Sequence, residues 1–165
     1  MADRIGYFGP GLMGRGIIQT LLAKGFPVTI FAHRDGLDLD DLVRAGGNVT
    51  RSLAEVAASS TVVLLTLPTS KEVEATVLGT PGLLEHLAPG SVVIDHSTSY
   101  PGSTRMLAEK LGSRRVAMLD APMTGRPAQA RSGELTLIVG GDRAAFERCQ
   151  SIFQAIAKNI FHVGP

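Results

Sequence analysis

IGYFGPGLMGRGIIQTLLAKGFPVTIFAHR, residues 5–34, decides the reading of the whole chain. An apolar tetrad, Ile5-Gly6-Tyr7-Phe8, runs into Gly9-Pro10-Gly11-Leu12-Met13-Gly14, and a helical run follows as far as Lys24-Gly25. A second apolar block, Val28-Thr29-Ile30-Phe31-Ala32, stops at His33-Arg34. The order is strand, glycine-rich turn, helix, strand, the context in which G-x-G-x-x-G counts as a dinucleotide-binding fingerprint. Each glycine has a physical task there. Gly9 allows the tight turn out of the strand, Gly11 lets the backbone approach a pyrophosphate, and Gly14 lets the helix pack close to the sheet. Leu12 and Met13 open the helix, whose free N–H groups face the anion. With 19 glycines among 165 residues, the spacing also arises by chance, and a tight strand-to-helix turn without a ligand is the alternative. The flanking strand and helix favour the cofactor.

A length of 165 residues suits one domain, residues 1–165, and 44% hydrophobic residues suffice for a core. The net charge of +1, with both signs mixed, has no electrostatic footprint for nucleic acid or a membrane surface as partner. No apolar stretch approaches the roughly 18 residues of a membrane span. The single cysteine, Cys149, has no partner for an intramolecular disulfide. It falls in a helix predicted over residues 143–157, where a packed thiol is expected rather than a nucleophile. Met1-Ala2-Asp3-Arg4 runs directly into the first strand, so the expected location is cytoplasmic.

Beyond Arg34 strands and helices alternate. Asp35, Asp38, Asp40 and Asp41 surround Leu37, Leu39 and Leu42 and predict a short helix ending near Gly46-Gly47. The cluster lacks the Asp-x-Asp-x-Asp-Gly order and closing Glu of a calcium loop, so no metal site is expected. Ser52 and Glu55 form a capping box for a helix to Ala58. Residues 61–67 (TVVLLTL) and 91–95 (SVVID) are continuous apolar runs, as expected for strands covered on both faces. Thr69 or Ser70 caps a helix through Glu72, Val73 and Val77, a short helix covers 83–87, and Pro101 opens a helix to Leu111. Further strands are predicted at 116–119, 135–139 and 159–163. Residues 120–132 read as a long polar loop, and Asp142 caps the helix that holds Cys149. The pattern predicts an α/β fold, a Rossmann-type doubly wound and mostly parallel sheet. Ligands of such sheets lie outside the carboxyl ends of the strands. Four of those ends here carry Gly9-Pro10-Gly11, His33-Arg34, Pro68-Thr69 and Ser97-Thr98.

An NAD site places Asp or Glu at the end of the second strand, about 20 residues on. Here Arg34 stands 20 residues beyond Gly14. A carboxylate would repel a 2′-phosphate, whereas an arginine offers it paired donors. NADP is therefore favoured. NAD is the runner-up, because Asp35 would take the carboxylate's role if the strand ran one residue further. His33 would lie against the adenine or donate to the phosphate, or stand solvated beside them.

Five segments in order resemble the β-hydroxyacid dehydrogenase family, which includes 3-hydroxyisobutyrate dehydrogenase and the tartronate and succinic semialdehyde reductases. They are the opening glycine stretch, LTLPTSKEVEATV, VIDHSTSYPGSTRML, LDAPMTGRPAQARSGELTLIV and its closing GGD. The resemblance implies that the Leu67-Pro68-Thr69 backbone passes the nicotinamide half and that Thr98, with Ser97 second, lies near the nicotinamide ribose and substrate. It also implies that Thr124, Gly125 and Arg126 hold a small carboxylate substrate. The residues themselves allow this, through a hydroxyl, an accessible N–H and a positive charge, and equally allow a surface turn with a solvated arginine. Family members commonly carry Ser-Gly-Gly where this chain has Thr124-Gly125-Arg126, which reshapes the acid pocket.

In the family a second, all-helical domain follows, carrying the catalytic lysine in a K-x-x-x-N motif and most of the subunit interface. The resemblance thus implies that the lysine lies beyond Pro165 and that homo-oligomers belong to the full-length parent. Lys158, placed before the final strand and outside that motif, is no substitute. The implied activity is hydride transfer between the nicotinamide and a small β-hydroxy acid or the matching semialdehyde. The cofactor domain of an imine reductase-like enzyme and a non-catalytic nucleotide-binding module are the alternatives.

Overall fold

The computed structural model of the chain describes residues 3–33 and 36–165. Among the described residues, nine strands join in one sheet: β1 (Ile5–Phe8), β2 (Val28–Phe31), β3 (Asn48–Thr50), β4 (Val62–Leu65), β5 (Val92–Asp95), β6 (Ala117–Asp120), β7 (Met123–Thr124), β8 (Leu135–Gly141) and β9 (Ala157–Gly164). The helices are α1 (Leu12–Ala23), α2 (Asp40–Arg44), α3 (Leu53–Ser59), α4 (Ser70–Leu78), α5 (Leu83–His86), α6 (Pro101–Gly112), α7 (Pro127–Ser132), α8 (Arg143–Arg148) and α9 (Gln150–Ile156). The strand order is β3-β2-β1-β4-β5-β6-β8-β7, with β9 pairing β8. Strands β1 to β6 are parallel. β8 runs antiparallel to β6 and β7, and β9 parallel to β8. This is the expected Rossmann-type sheet. The chain builds outward from β1 through β2 to β3, then crosses back to β4 on the other side, so the switch point lies between β1 and β4.

The unbroken apolar strands follow from this layering. Val62 and Leu64 of β4 join one core and Val63 and Leu65 the other, so both faces of the strand must be apolar. α1 and α9 supply Ile17, Ile18, Leu21, Ile152 and Phe153 to the first core. α4 and α6 supply Val73, Val77, Leu107 and Leu111 to the second.

Helix starts follow local chemistry. Ser52 Oγ accepts from Glu55 N at 3.1 Å, but the box closes only halfway, because Glu55 Oε2 instead accepts the Thr50 hydroxyl at 2.6 Å. Asp142 Oδ1 accepts from Ala145 N at 2.9 Å. Asp41, from the acidic cluster, accepts from Arg15 and from Gln19 Nε2, the latter at 2.8 Å. The cluster thereby ties α2 to α1.

Four expectations are corrected. β3 was not foreseen, since its three residues contain one apolar side chain, Val49, and it is held by pairing with β2. The expected loop 120–132 contains β7 and α7. Pro127 opens α7, Gln129 Oε1 accepts from Arg126 N at 2.9 Å, and Gly133 closes it at φ +72°. α7 docks on α1 because both surfaces are small there: a Cβ on Gly16 would stand 2.9 Å from that of Ala130. Thr20 Oγ1 lies 2.8 Å from the Ala130 carbonyl. The helix over 143–157 breaks at Cys149, whose φ of −90° and ψ of 7° end α8 and start α9. Its thiol is packed as expected, and burial pushes it up to about 12, far from a nucleophile's range. Lys158 lies within β9 rather than before it. No helix among the described residues is long and apolar enough to cross a membrane.

Candidate dinucleotide-binding site

The three glycines of the turn meet three different environments. Gly9 turns at φ +90°, and a Cβ built there would lie 2.0 Å from the Thr66 carbonyl oxygen. At Gly14 the added carbon would lie 2.0 Å from the Gly9 carbonyl oxygen and 3.0 Å from the Tyr7 ring. Gly11 has nothing within 4 Å, so its backbone presents an open face. It is also the N-cap of α1, with no side-chain cap among the described residues and no acidic residue in the first turn. The first N–H groups of the helix are thus left for an external acceptor. The dipole adds about half a positive charge at that end. Pro10 is buried, Leu12 is exposed, and Met13 is partly buried against the core.

A cleft of about 620 Å³ opens at this turn, across the ends of β1, β2 and β4. That volume suits a drug-sized ligand. Of the residues singled out from the sequence, Gly9, Pro10, Gly11, His33, Leu67 and Pro68 line it. Arg34, with Asp35, lies outside the described residues. The wall that sequence reasoning missed is largely apolar, formed by Phe31, Leu37, Leu53 and Ala75, with Glu72 and Thr76 as polar groups. Phe31 was legible in principle. Strand alternation puts it on the face opposite Ile30, where it stacks on Phe8 at 4.9 Å between centroids.

Hydrogen bonds behind the cleft set its floor. Tyr7 Oη and Thr66 Oγ1 are 2.7 Å apart, and burial raises the phenol's pKa so that it stays neutral. Ser97 is 3% exposed, and its Oγ accepts from Leu67 N at 2.9 Å. Its own N–H donates to Asp95 Oδ1 at 2.9 Å, while Ser99 Oγ donates to Asp95 Oδ2 at 2.6 Å. The Ser97 oxygen therefore holds the Leu67 turn. Thr69 is likewise engaged, capping α4 through Lys71 N at 3.2 Å and donating to Glu72. Thr98 is exposed at the end of β5. Thr124, in β7, and Gly125 and Arg126 ahead of α7 are exposed too. These four lie outside the cleft lining, strung along the sheet edge beyond β4.

Two titratable groups stand at the ends of β5 and β6. His96 is buried, and its Nδ1 donates to the Ala121 carbonyl at 2.8 Å. Burial lowers its pKa, so the ring is neutral. Nε2 has no partner among the described residues. Asp120 is half-buried and in register with Asp95. Burial first, then the Asp95 charge, push its pKa up to about 6. In the unfolded chain Asp120 loses its proton near pH ~4. Between these values the folded form binds more protons, so stability falls as pH rises through the window. Asp120→Asn is therefore expected to raise stability above pH ~6 by about 1 kcal/mol, after allowance for solvent screening. It should have no effect below about pH 4. Urea unfolding at the two pH values checks this.

Residues 4–164 match the family model described as the NAD binding domain of 6-phosphogluconate dehydrogenase. The NAD-dependent L-serine dehydrogenase of Pseudomonas aeruginosa is 40% identical over 162 residues, 98% of this chain and 54% of its own length. The structure of 3-hydroxyisobutyrate dehydrogenase from Mycobacterium tuberculosis with L-serine superposes with a TM-score of 0.90 at 29% identity, covering 99% of this chain and 55% of that one. Psf3, solved with NADP+ and 2-OPP, gives 0.92 at 25% identity over 97% and 56%. The chain spans about half the length of the relatives it matches. The resemblance to β-hydroxyacid dehydrogenases holds across this half. The chain belongs to the family of NAD binding domains described from 6-phosphogluconate dehydrogenase, a Rossmann-type fold for a nicotinamide dinucleotide.

Proposed function

We propose that the chain is the NADP-binding half of an oxidoreductase acting on a small β-hydroxy acid or the corresponding semialdehyde. The observation that carries this reading is the open backbone face of Gly11, at the uncapped start of α1 and on the lip of the cleft. When bound, the nicotinamide supplies the hydride acceptor or donor. The turn from Gly9 to Gly14 receives the diphosphate, and Phe8, Phe31 and Leu53 cover the adenine side. Arg34 and His33 take the 2′-phosphate. Leu67, Pro68 and Thr69 run along the nicotinamide half, with Leu67 held by Ser97, and Thr98 meets the ribose. Thr124, Gly125 and Arg126 hold the substrate carboxylate. No residue identified in this sequence matches the lysine that the resemblance implies for proton transfer. Binding is accordingly the reading's direct test, with little or no turnover expected from these 165 residues. A cytoplasmic setting and a homo-oligomeric parent enzyme belong to the same reading, the first supported by the buried, unpaired Cys149.

The test is paired titration of NADPH and NADH against the protein and its Arg34→Ala variant. NADPH should bind at least about tenfold tighter, and the variant should lose that margin while keeping its NADH affinity, because a charge-assisted pair contributes about 1.5–3 kcal/mol. Equal affinity for both dinucleotides in the unmodified protein sinks the NADP assignment.

A further inference from the structure

A second, smaller cavity of about 200 Å³ lies at the opposite edge of the sheet, just ahead of β1, β4 and β5. Each of those strands is four residues long, so roughly 13 Å of strand separates it from the dinucleotide cleft. Its volume is below that of pockets for drug-sized ligands. Arg4, Ser60, His86, Gly90, Ser91 and Arg148 are among the residues that line it, and none of the described lining residues is acidic.

Each arginine has a structural task that uses only part of its guanidinium. Arg4 Nε donates to the Ser59 carbonyl at 2.8 Å, and its two terminal nitrogens have no partner among the described residues. Arg148, the last residue of α8, donates through Nη1 to the Gly90 carbonyl. Its Nη2 stands 3.5 Å from Asp3 Oδ1, longer than the ~2.8 Å of a close charge-assisted pair. Asp3 is also engaged elsewhere, accepting the Thr61 hydroxyl at 2.8 Å. Two guanidiniums against one carboxylate leave the cavity positive. Ser91 is 5% exposed. Its N–H donates to the Ala88 carbonyl at 3.1 Å, and its carbonyl accepts from Ala117 N at 3.0 Å. The group left over is its hydroxyl, which has no partner among the described residues. A hydroxyl so buried gains from an acceptor placed in the cavity.

We infer that this cavity is a phosphate site, in which Arg4 and Arg148 hold the anion and the Ser91 hydroxyl donates to it. The ligand chemistry is a phosphate group, free or at the end of a small metabolite. Donors from three separate segments suit an anion with three acceptor oxygens better than a carboxylate with two. A bound phosphate ties the approaches to β1 and β5 to α8. The site stands apart from the nucleotide reading, since it uses the other ends of the strands.

The experiment titrates the 165-residue chain with inorganic phosphate at constant ionic strength, following backbone amides by proton–nitrogen NMR. Thr61, Gly90 and Ser91 should shift saturably, with half-saturation on the order of 1 mM. Arg4→Gln should weaken this at least about tenfold, and Ser91→Ala about fivefold. The same spectra report whether each variant is folded, and Ser91→Ala leaves both arginines in place. Glycerol 3-phosphate is the second arm. Tighter binding of the ester assigns the phosphate to a metabolite, and equal binding assigns it to the free ion; either supports the site. Acetate binding as tightly as phosphate overturns the phosphate assignment. Shifts confined to residues 11–13, or linear shifts that both variants retain, overturn the site.

Discussion

Gly9→Ala is expected to cost the protein its fold rather than to trim its affinity. The residue turns at φ +90°, a region that L side chains enter at about 1–3 kcal/mol of strain. The added methyl would also stand 2.0 Å from the Thr66 carbonyl oxygen. That oxygen is backbone at the end of β4, next to β1 in the sheet, and cannot rotate away as a side chain could. Overpacking of such a site adds about 1–3 kcal/mol. Together the two effects should lower stability by about 3 kcal/mol or more, a large share of the 5–15 kcal/mol typical of a domain. Urea unfolding followed by circular dichroism measures it. A midpoint within experimental error of the parent would show that the turn yields, and the rigid reading of the glycine motif would fail.

Gly11→Ala should do the opposite, sparing the fold and removing the ligand. Its φ of −79° is open to any residue, nothing lies within 4 Å of the added carbon, and alanine in place of glycine at an N-cap costs only a few tenths of a kcal/mol. The methyl would project from the backbone where a diphosphate must come close. Steric displacement of about 1–3 kcal/mol corresponds to roughly a tenfold to hundredfold loss of NADPH affinity. Calorimetric titration beside a melting curve separates the two quantities. Unchanged affinity would place the diphosphate elsewhere and remove the observation on which the proposed function stands. The two glycines sit two residues apart in one motif, yet one answers to the protein's own backbone and the other to its ligand.

The strand-turn-helix start, the doubly covered strands and the caps at Ser52, Thr69 and Asp142 were legible because their causes are local. Each rests on spacing or on a side chain reaching a backbone group within a few residues. The short elements escaped for the complementary reason. β3 and α7 have too few residues for a period to show, and they exist through partners: β3 through β2, and α7 through Gly16 and Thr20 on α1. The break at Cys149 lies inside a run whose composition reads as one helix.

The candidate site divides the same way. The sequence by itself determined that a glycine turn opens α1 at a strand end, since three glycines, an apolar strand and an amphipathic helix are contiguous. Only the tertiary structure decided what faces that turn. It brought Phe31, Leu53 and Glu72 to one cleft from three separate elements. It turned Ser97 inward to hold Leu67, 30 residues away. By setting β8 antiparallel to β6, with β7 beyond it, it left Thr124, Gly125 and Arg126 outside the lining of the cleft at the nucleotide turn. Those placements depend on strand order and on contacts between residues far apart in sequence, such as Thr20 and Ala130, 110 residues apart. Local periodicity carries no record of them.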